Sequence, residues 1–241
     1  MPRFRPHMNN KKLVLFDIDG TLIYHAGSRK WHDQYAHGFQ MAYGFTPTWD
    51  HKKYNGNVEM QVAWAILQDH GVSREEFEKH YPKYIHEMHE YLKEQSRNEV
   101  LFKIIEPAST LVKILHKRDD VILGILTGNA ERIAHWKLDH VGLSEYFTFG
   151  LYGDAANSRI ELAKQAFEKA KKELNMEFAP GNVIVIGDTV HDIRCGKAIG
   201  AVTVAVTTGM HGFWDELKKE NPDILVETLM DPQVLSLFSL K

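Results

Sequence analysis

Asp17 and Asp19 are separated by one residue and follow a short apolar run, Leu13 to Phe16. Alternate side chains of an extended backbone share a side, so the spacing sets two like charges together at the mouth of a buried strand. That is unfavourable unless a cation or a proton relieves it. A hard ion such as Mg²⁺ suits the pair, because it accepts one or two carboxylates, keeps several waters and leaves room for a phosphate oxygen. Gly20 lets the chain turn away, and the Thr21 hydroxyl can close the turn. Two further clusters follow in the chain. Leu126-Thr127-Gly128-Asn129 ends a second apolar run just before a helical pattern, so the Thr127 hydroxyl and the amides of Gly128 and Asn129 can form a phosphate cradle. Gly187-Asp188-Thr189-Val190-His191-Asp192 ends a third run. Its Asp188 and Asp192, four residues apart at a helix start, can face one site and add two carboxylates to a metal centre.

These groups must be held by the elements around them. The runs LVLF (13–16), VILGIL (121–126), VIVIG (183–187) and VTVAV (202–206) are apolar, and each ends in polar residues. That is the pattern of parallel strands buried on both faces. Between them, Leu111, Val112, Ile114 and Leu115, then Ile133, Trp136 and Leu138, then Leu162, Ala166, Phe167 and Ala170 recur at helical spacing. Strands alternating with helices imply right-handed crossovers and a parallel α/β sheet, which binds ligands beyond the carboxyl ends of its strands. The stretch from about 24 to 104 breaks this alternation. It shows no convincing buried strand, only helical patterns over about 29–43, 57–70 and 74–95. The first carries Trp31, Tyr35, Phe39 and Tyr43, and the third carries Phe77, Tyr81, Ile85, Met88 and Leu92. We read this as a small helical bundle inserted after the first strand, with the aromatic stripe packing inside it.

Composition bounds the rest. The 241 residues exceed one typical domain and suit a core carrying a smaller insertion. Hydrophobic residues make up 44%, enough to bury a sizeable core. With 29 Lys and Arg against 32 Asp and Glu, the net charge of -3 removes the usual electrostatic case for a nucleic-acid partner. No long apolar run precedes Asp17, so neither a signal peptide nor a membrane span is expected. The single cysteine, Cys195, forms no internal disulfide and reads as an inert packing residue, pointing to the cytoplasm. His86, His89 and Glu90 have helical ligand spacing but supply too few groups for a zinc site. His191 can face the site or solvent.

Taken together, DIDGT at 17–21, LTGN at 126–129 and GDTVHD at 187–192 resemble the haloacid dehalogenase-like hydrolase superfamily, in order and in separation. The resemblance runs from Lys11 to about Phe238. It implies a Rossmann-like α/β core, 1–23 and 105–241, and an all-helical cap, 24–104, hinged just after Thr21 and just before Pro107. It also implies that Asp17 is the nucleophile, that Asp19 is the acid/base and a metal ligand through its carbonyl, and that Thr127 grips the phosphate. Asp188 and Asp192 then complete a Mg²⁺ site with Asp17. The family's phosphate-neutralising lysine has no direct counterpart. Arg159 at a helix start fills its place, with Lys164 as the rival cation. Tyr54-Asn55-Gly56-Asn57-Val58-Glu59 resembles the substrate-specificity turn of phosphoglycolate-phosphatase-like caps, although Gly-x-Thr is more usual there; equally, Asn57 can cap the next helix.

The expected activity is therefore Mg²⁺-dependent hydrolysis of a small-molecule phosphate ester through an aspartyl-phosphate. A sugar phosphomutase of the same fold and a non-enzymatic phospho-accepting module are the alternatives. Asp19 argues against the module, which has no use for an acid/base, and against a dehalogenase. No GxGxxG follows the first strand, which disfavours dinucleotide binding. Oligomeric state and physiological substrate are not legible.

Overall fold

A computed structural model describes residues 11–26, 30–50, 56–209 and 214–240. Its centre is a six-stranded sheet, parallel throughout, in the order β5-β4-β1-β6-β7-β8. The strands are β1 (Lys12–Phe16), β4 (Val121–Leu126), β5 (Phe149–Leu151), β6 (Val183–Gly187), β7 (Val202–Val206) and β8 (Ile224–Val226). The edge strands β5 and β8 are three residues each and carry no apolar run long enough to show in the sequence. β1 lies between β4 and β6, with Phe16 opposite both Ile125 and Ile186. Asp17 therefore stands level with Leu126 and Gly187, and Thr127 and Asp188 sit one step further out. The register itself gathers the three motifs at one edge.

Both faces of the sheet are covered, as a parallel sheet requires. Val14 and Phe16 pack towards α4 (Glu106–His116) and α5 (Glu131–His140). Leu13 and Leu15 pack towards α6 (Arg159–Leu174) and α7 (Val190–Ala198). Asp17 continues the second set, which directs it at α6 and α7. Short helix α8 (Trp214–Lys219) packs through Leu217 against Ile193 of α7 and Ala205 of β7, and short helix α9 (Pro232–Leu237) adds Val234 to the cluster under α4.

Between β1 and α4 lie α1 (Lys30–Tyr43), α2 (Glu59–Asp69) and α3 (Arg74–Gln95), close to the three helical patterns of the sequence. The aromatic stripe largely packs within them: Phe39 stacks on Tyr84 with ring centroids 4.6 Å apart, and Phe77, Met88 and Leu92 are buried. The side chain of Trp31, and Tyr54 and Asn55, fall outside the described residues. One expectation needs correction. The two chain passages into and out of the helices pair as an antiparallel ribbon, β2 (Ile23–His25) with β3 (Phe102–Ile104). Three residues with alternating exposure give a ribbon too short to register as a strand pattern.

Candidate active site

Asp17 extends the β1 ladder by donating its amide to the Ile186 carbonyl at 2.9 Å. The extended geometry then ends. The Ile18 carbonyl accepts the amides of Thr21, Leu22 and Ile23, and Gly20 takes φ +85°, a region that favours glycine. A β-carbon at Gly20 would collide with the Asp188 carboxylate. This turn gives the two aspartates different partners, although alternation alone would set them facing together.

Asp17 faces the acidic cluster. Ligand oxygens of Asp17, Asp188 and Asp192 lie within 4.8 Å of one another, and all three residues are buried. Arg159, the first residue of α6, is 5% exposed and enters this cluster. One guanidinium nitrogen donates to Asp17 Oδ1 at 3.3 Å, and the other donates to Asp192 Oδ1 and, at 3.4 Å, to the Leu126 carbonyl. Its Nε is buried without a hydrogen-bond partner among the described residues. Lys164 lies on the exposed side of α6. Asp192 closes the α7 capping box with Thr189, whose amide and hydroxyl both donate to Oδ2. Its two oxygens are thus engaged by Arg159 and Thr189. Asp188 accepts the Thr21 hydroxyl at 3.3 Å.

Burial pushes the Asp17 carboxyl up to about 7; Arg159 opposes the rise, and Asp192 and Asp19 add to it. Burial, with Asp17 and Asp192 nearby, also holds Asp188 well above the usual carboxylate range. Buried carboxylates with one arginine among them fit a hard divalent cation, which would supply the missing positive charge. Asp17, Asp188 and Asp192 each have an oxygen within reach of one ion, and those of Asp192 are also engaged by Arg159 and Thr189.

Asp19 faces the other way, towards α5. Lys137 Nζ donates to both of its carboxylate oxygens, at 2.9 and 2.7 Å. The Asn129 amide donates to Oδ2 at 2.7 Å, and His25 Nε2 lies 3.6 Å from Oδ1. Burial tends to raise the Asp19 carboxyl, but Lys137, His25 and Asn129 together hold it below its ordinary value. Lys137 was not singled out from the sequence. Its signal was a lysine one helical turn after Ile133 and next to Leu138, on the buried stripe of α5.

Thr127 is fully buried at the end of β4. Its hydroxyl accepts the Asn129 amide nitrogen and side-chain nitrogen, at 3.3 and 2.8 Å. The start of α2 sits on this cradle: Glu59 donates its amide to the Gly128 carbonyl at 2.8 Å, and the Asn57 carbonyl fills the space a side chain at Gly128 would need. Asn57 does not cap α2. Val58 takes that position, with no side-chain capping bond. Gly56 packs against His191, which is half-buried and lies beside the site; a β-carbon at Gly56 would come within 2.7 Å of its ring. The Glu59 side chain is buried and accepts the Tyr84 hydroxyl at 2.8 Å, and burial raises its carboxyl to about 7. The Cys195 thiol is buried, donates to the Asp192 carbonyl at 3.3 Å and is pushed up to about 12 by burial. His86 is exposed, Arg132 donates to His89 at 3.1 Å, and among the described residues His86, His89 and Glu90 do not gather as a group of metal ligands.

The sheet order and the motifs at its strand ends define a parallel α/β core with a buried acidic centre, and a model of the haloacid dehalogenase-like hydrolases matches residues 11–200. The chain belongs to that family. It is 26% identical over 231 residues to phosphoglycolate phosphatase 1 of Pseudomonas aeruginosa, covering 91% of this chain and 78% of the relative. It is 27% identical to the pyrophosphatase PpaX of Anoxybacillus flavithermus, over 92% of this chain and 95% of that one. Among solved structures, β-phosphoglucomutase from Clostridium difficile aligns with a TM-score of 0.66 over 94% of this chain and 96% of the other, at 20% identity. That last likeness speaks for the fold alone. No helix of the described residues is long and apolar enough to cross a membrane.

Proposed function

We propose that this protein is a Mg²⁺-dependent phosphatase that hydrolyses a small phosphate monoester in the cytoplasm through an aspartyl-phosphate. The observation that carries the reading is the division of labour between two aspartates two residues apart. Asp17 opens onto a buried carboxylate cluster with one arginine, and Asp19 is held apart by a lysine and an amide. Paired carboxylates in contrasting surroundings are how one site supplies both a nucleophile and a proton carrier. The phosphatase names of two relatives that cover most of the chain agree with it.

In this reading an Asp17 oxygen attacks phosphorus as the bond to the ester oxygen breaks, and Asp19 delivers a proton to that departing oxygen. A water then attacks the phosphorus of the aspartyl-phosphate, Asp19 takes its proton, and Asp17 is regenerated. Thr127, the amides of Gly128 and Asn129, and Arg159, with its unpartnered buried Nε, hold the phosphoryl oxygens. Asp17, Asp188 and the Asp19 carbonyl would hold Mg²⁺, with Asp192 fixing its waters or a neighbouring cation, and the ion would neutralise charge at the transferring group. Residues 24–104 act as a cap whose Gly56-to-Glu59 segment closes on the cradle, excluding water and large polymers.

Turnover of a panel of small phosphate esters, with Mg²⁺ and after chelation, tests this. Metal-dependent release of phosphate is expected, and activity that survives full chelation would overturn it.

A further inference from the structure

Among the described residues, Lys137 is the buried cation of the site to which the proposed phosphoryl transfer gives no task. Its side chain is 3% exposed, and all three ammonium protons have acceptors: both oxygens of Asp19 and the Asn129 side-chain oxygen at 2.8 Å. The aliphatic stem lies on the buried stripe of α5 with Ile133, Ala134 and Leu138, and the ammonium stands 5.2 Å from the centre of the Phe102 ring. A leucine or methionine would suit such surroundings at no desolvation cost, whereas a buried ammonium is expensive unless it serves its partner. That partner sits at a turn with a partly exposed carboxylate, and several donors converge on it. Asn129 completes the arrangement, since its side-chain nitrogen donates both to Asp19 and to the Thr127 hydroxyl. Lys137, Asp19, Asn129 and Thr127 thus form one continuous network from α5 through the first turn to the phosphate cradle.

We propose that Lys137 is a positioning residue: it locks the Asp19 carboxyl, in register with Asn129 and the cradle, at the side of the site where the leaving-group oxygen departs. The inference rests on the phosphoryl-transfer reading above and adds a residue to it. Lys137 touches no reacting atom. Its ammonium, by donating to both oxygens, removes the rotational freedom of Asp19 and also favours its ionised form over the protonated form that acts as the acid. In this proposal the loss of rotational freedom outweighs that cost, so that proton transfer to the departing oxygen starts from a fixed geometry. Its contribution therefore depends on how much the leaving group needs that proton.

The test compares kcat/KM, which reports leaving-group departure, for phenyl phosphate and 4-nitrophenyl phosphate in the full-length protein with Mg²⁺. The variants are Lys137→Met, Asp19→Asn and the double variant. Lys137→Met is expected to lower kcat/KM about a hundredfold on phenyl phosphate and at most about tenfold on 4-nitrophenyl phosphate, whose anion departs with little need of a proton. Inhibition by inorganic phosphate is expected to stay unchanged, and adding Lys137→Met to Asp19→Asn should cost nothing further. Equal losses on the two esters, fully additive losses in the double variant, or wild-type rates would each overturn the proposal. If Lys137→Met fails to fold, Lys137→Gln, which keeps one donor, is put through the same comparison and judged by the same outcomes. Asp17→Asn run in parallel separates the two claims. Activity in that variant refutes the phosphoryl-transfer reading itself, whereas an inactive Asp17→Asn beside a silent Lys137→Met refutes only the role of Lys137.

Discussion

Arg159 donates to the carboxylate of Asp17 at 3.3 Å from 142 residues further along the chain, and the same guanidinium holds Asp192. One side chain on α6 thereby fixes the direction of the carboxylate at the end of β1. The planar fork of arginine can bridge two carboxylates in a way that the point charge of lysine cannot.

Replacing Arg159 by methionine would strand two buried carboxylates. Without added metal, thermal or denaturant unfolding should show a loss of roughly 3–5 kcal/mol, the usual cost of removing one partner of a buried pair. Arg159→Lys should retain part of the stability but lose turnover, because it cannot hold Asp17 and Asp192 together. Equal stability of all three proteins would show that the bridge contributes nothing.

Asp17→Asn should raise the metal-free melting temperature at pH 8 while leaving the fold intact. The sign follows from the direction in which burial moves this carboxyl. Asp17 carries a folded value of about 7 against an ordinary 3.8, so its ionisation between those values costs native stability, at about 1.4 kcal/mol for each pH unit that separates them. A carboxamide escapes that cost above pH 7 and gains nothing near pH 4. Melting curves at the two pH values check this, and a stabilisation that persisted at pH 4 would contradict it.

Metal affinity should fall as pH drops below about 7. In the proposed mechanism a metal would need Asp17 and Asp188 as carboxylates, and burial holds both in the proton-binding direction when the site has no cation. Calorimetric titration with Mg²⁺ should show the apparent affinity weakening by up to about tenfold per pH unit for each proton displaced. A flat profile between pH 5 and 8 would remove these two carboxylates from the metal site.

Glu59 gives a prediction in the helical insertion. Its carboxyl, raised to about 7 by burial, ionises at a cost as pH rises from about 4.5 to 7, so this residue favours the folded state at low pH and loses that advantage through pH 7. Glu59→Gln keeps a hydrogen-bond acceptor for Tyr84 and should flatten that part of the stability profile. If residues 24–104 set selectivity, the same variant should also reorder preference among phosphate esters, whereas substitutions at Thr127 or Arg159 should weaken every ester alike, because in the proposed mechanism those residues hold the phosphoryl group that all esters share. An unchanged ranking would place selectivity in the core.

The central strands were legible because β1, β4, β6 and β7 are buried on both faces and leave unbroken apolar runs. The edge strands β5 and β8 and the β2–β3 ribbon have three residues each, too few for a pattern to rise above loop composition. The acidic residues could be read because their spacing and chain order carry chemistry by themselves. Lys137 could not be read in the same way: a lysine on a helix is ordinarily a solvated residue, and only the packing of α5 shows that this one is buried against Asp19. Nor could alternation show that Asp17 and Asp19 have separate partners, because the separation comes from the turn at Ile18.

The most direct test of the mechanism is whether a phosphoryl group is carried on Asp17. The protein is mixed with Mg²⁺ and 4-nitrophenyl phosphate, quenched in acid within a single turnover, digested, and analysed by mass spectrometry. One added phosphoryl group is expected on the peptide containing Asp17, absent in Asp17→Asn and longer-lived in Asp19→Asn. Turnover with no label on that peptide, or label on another residue, would contradict the mechanism.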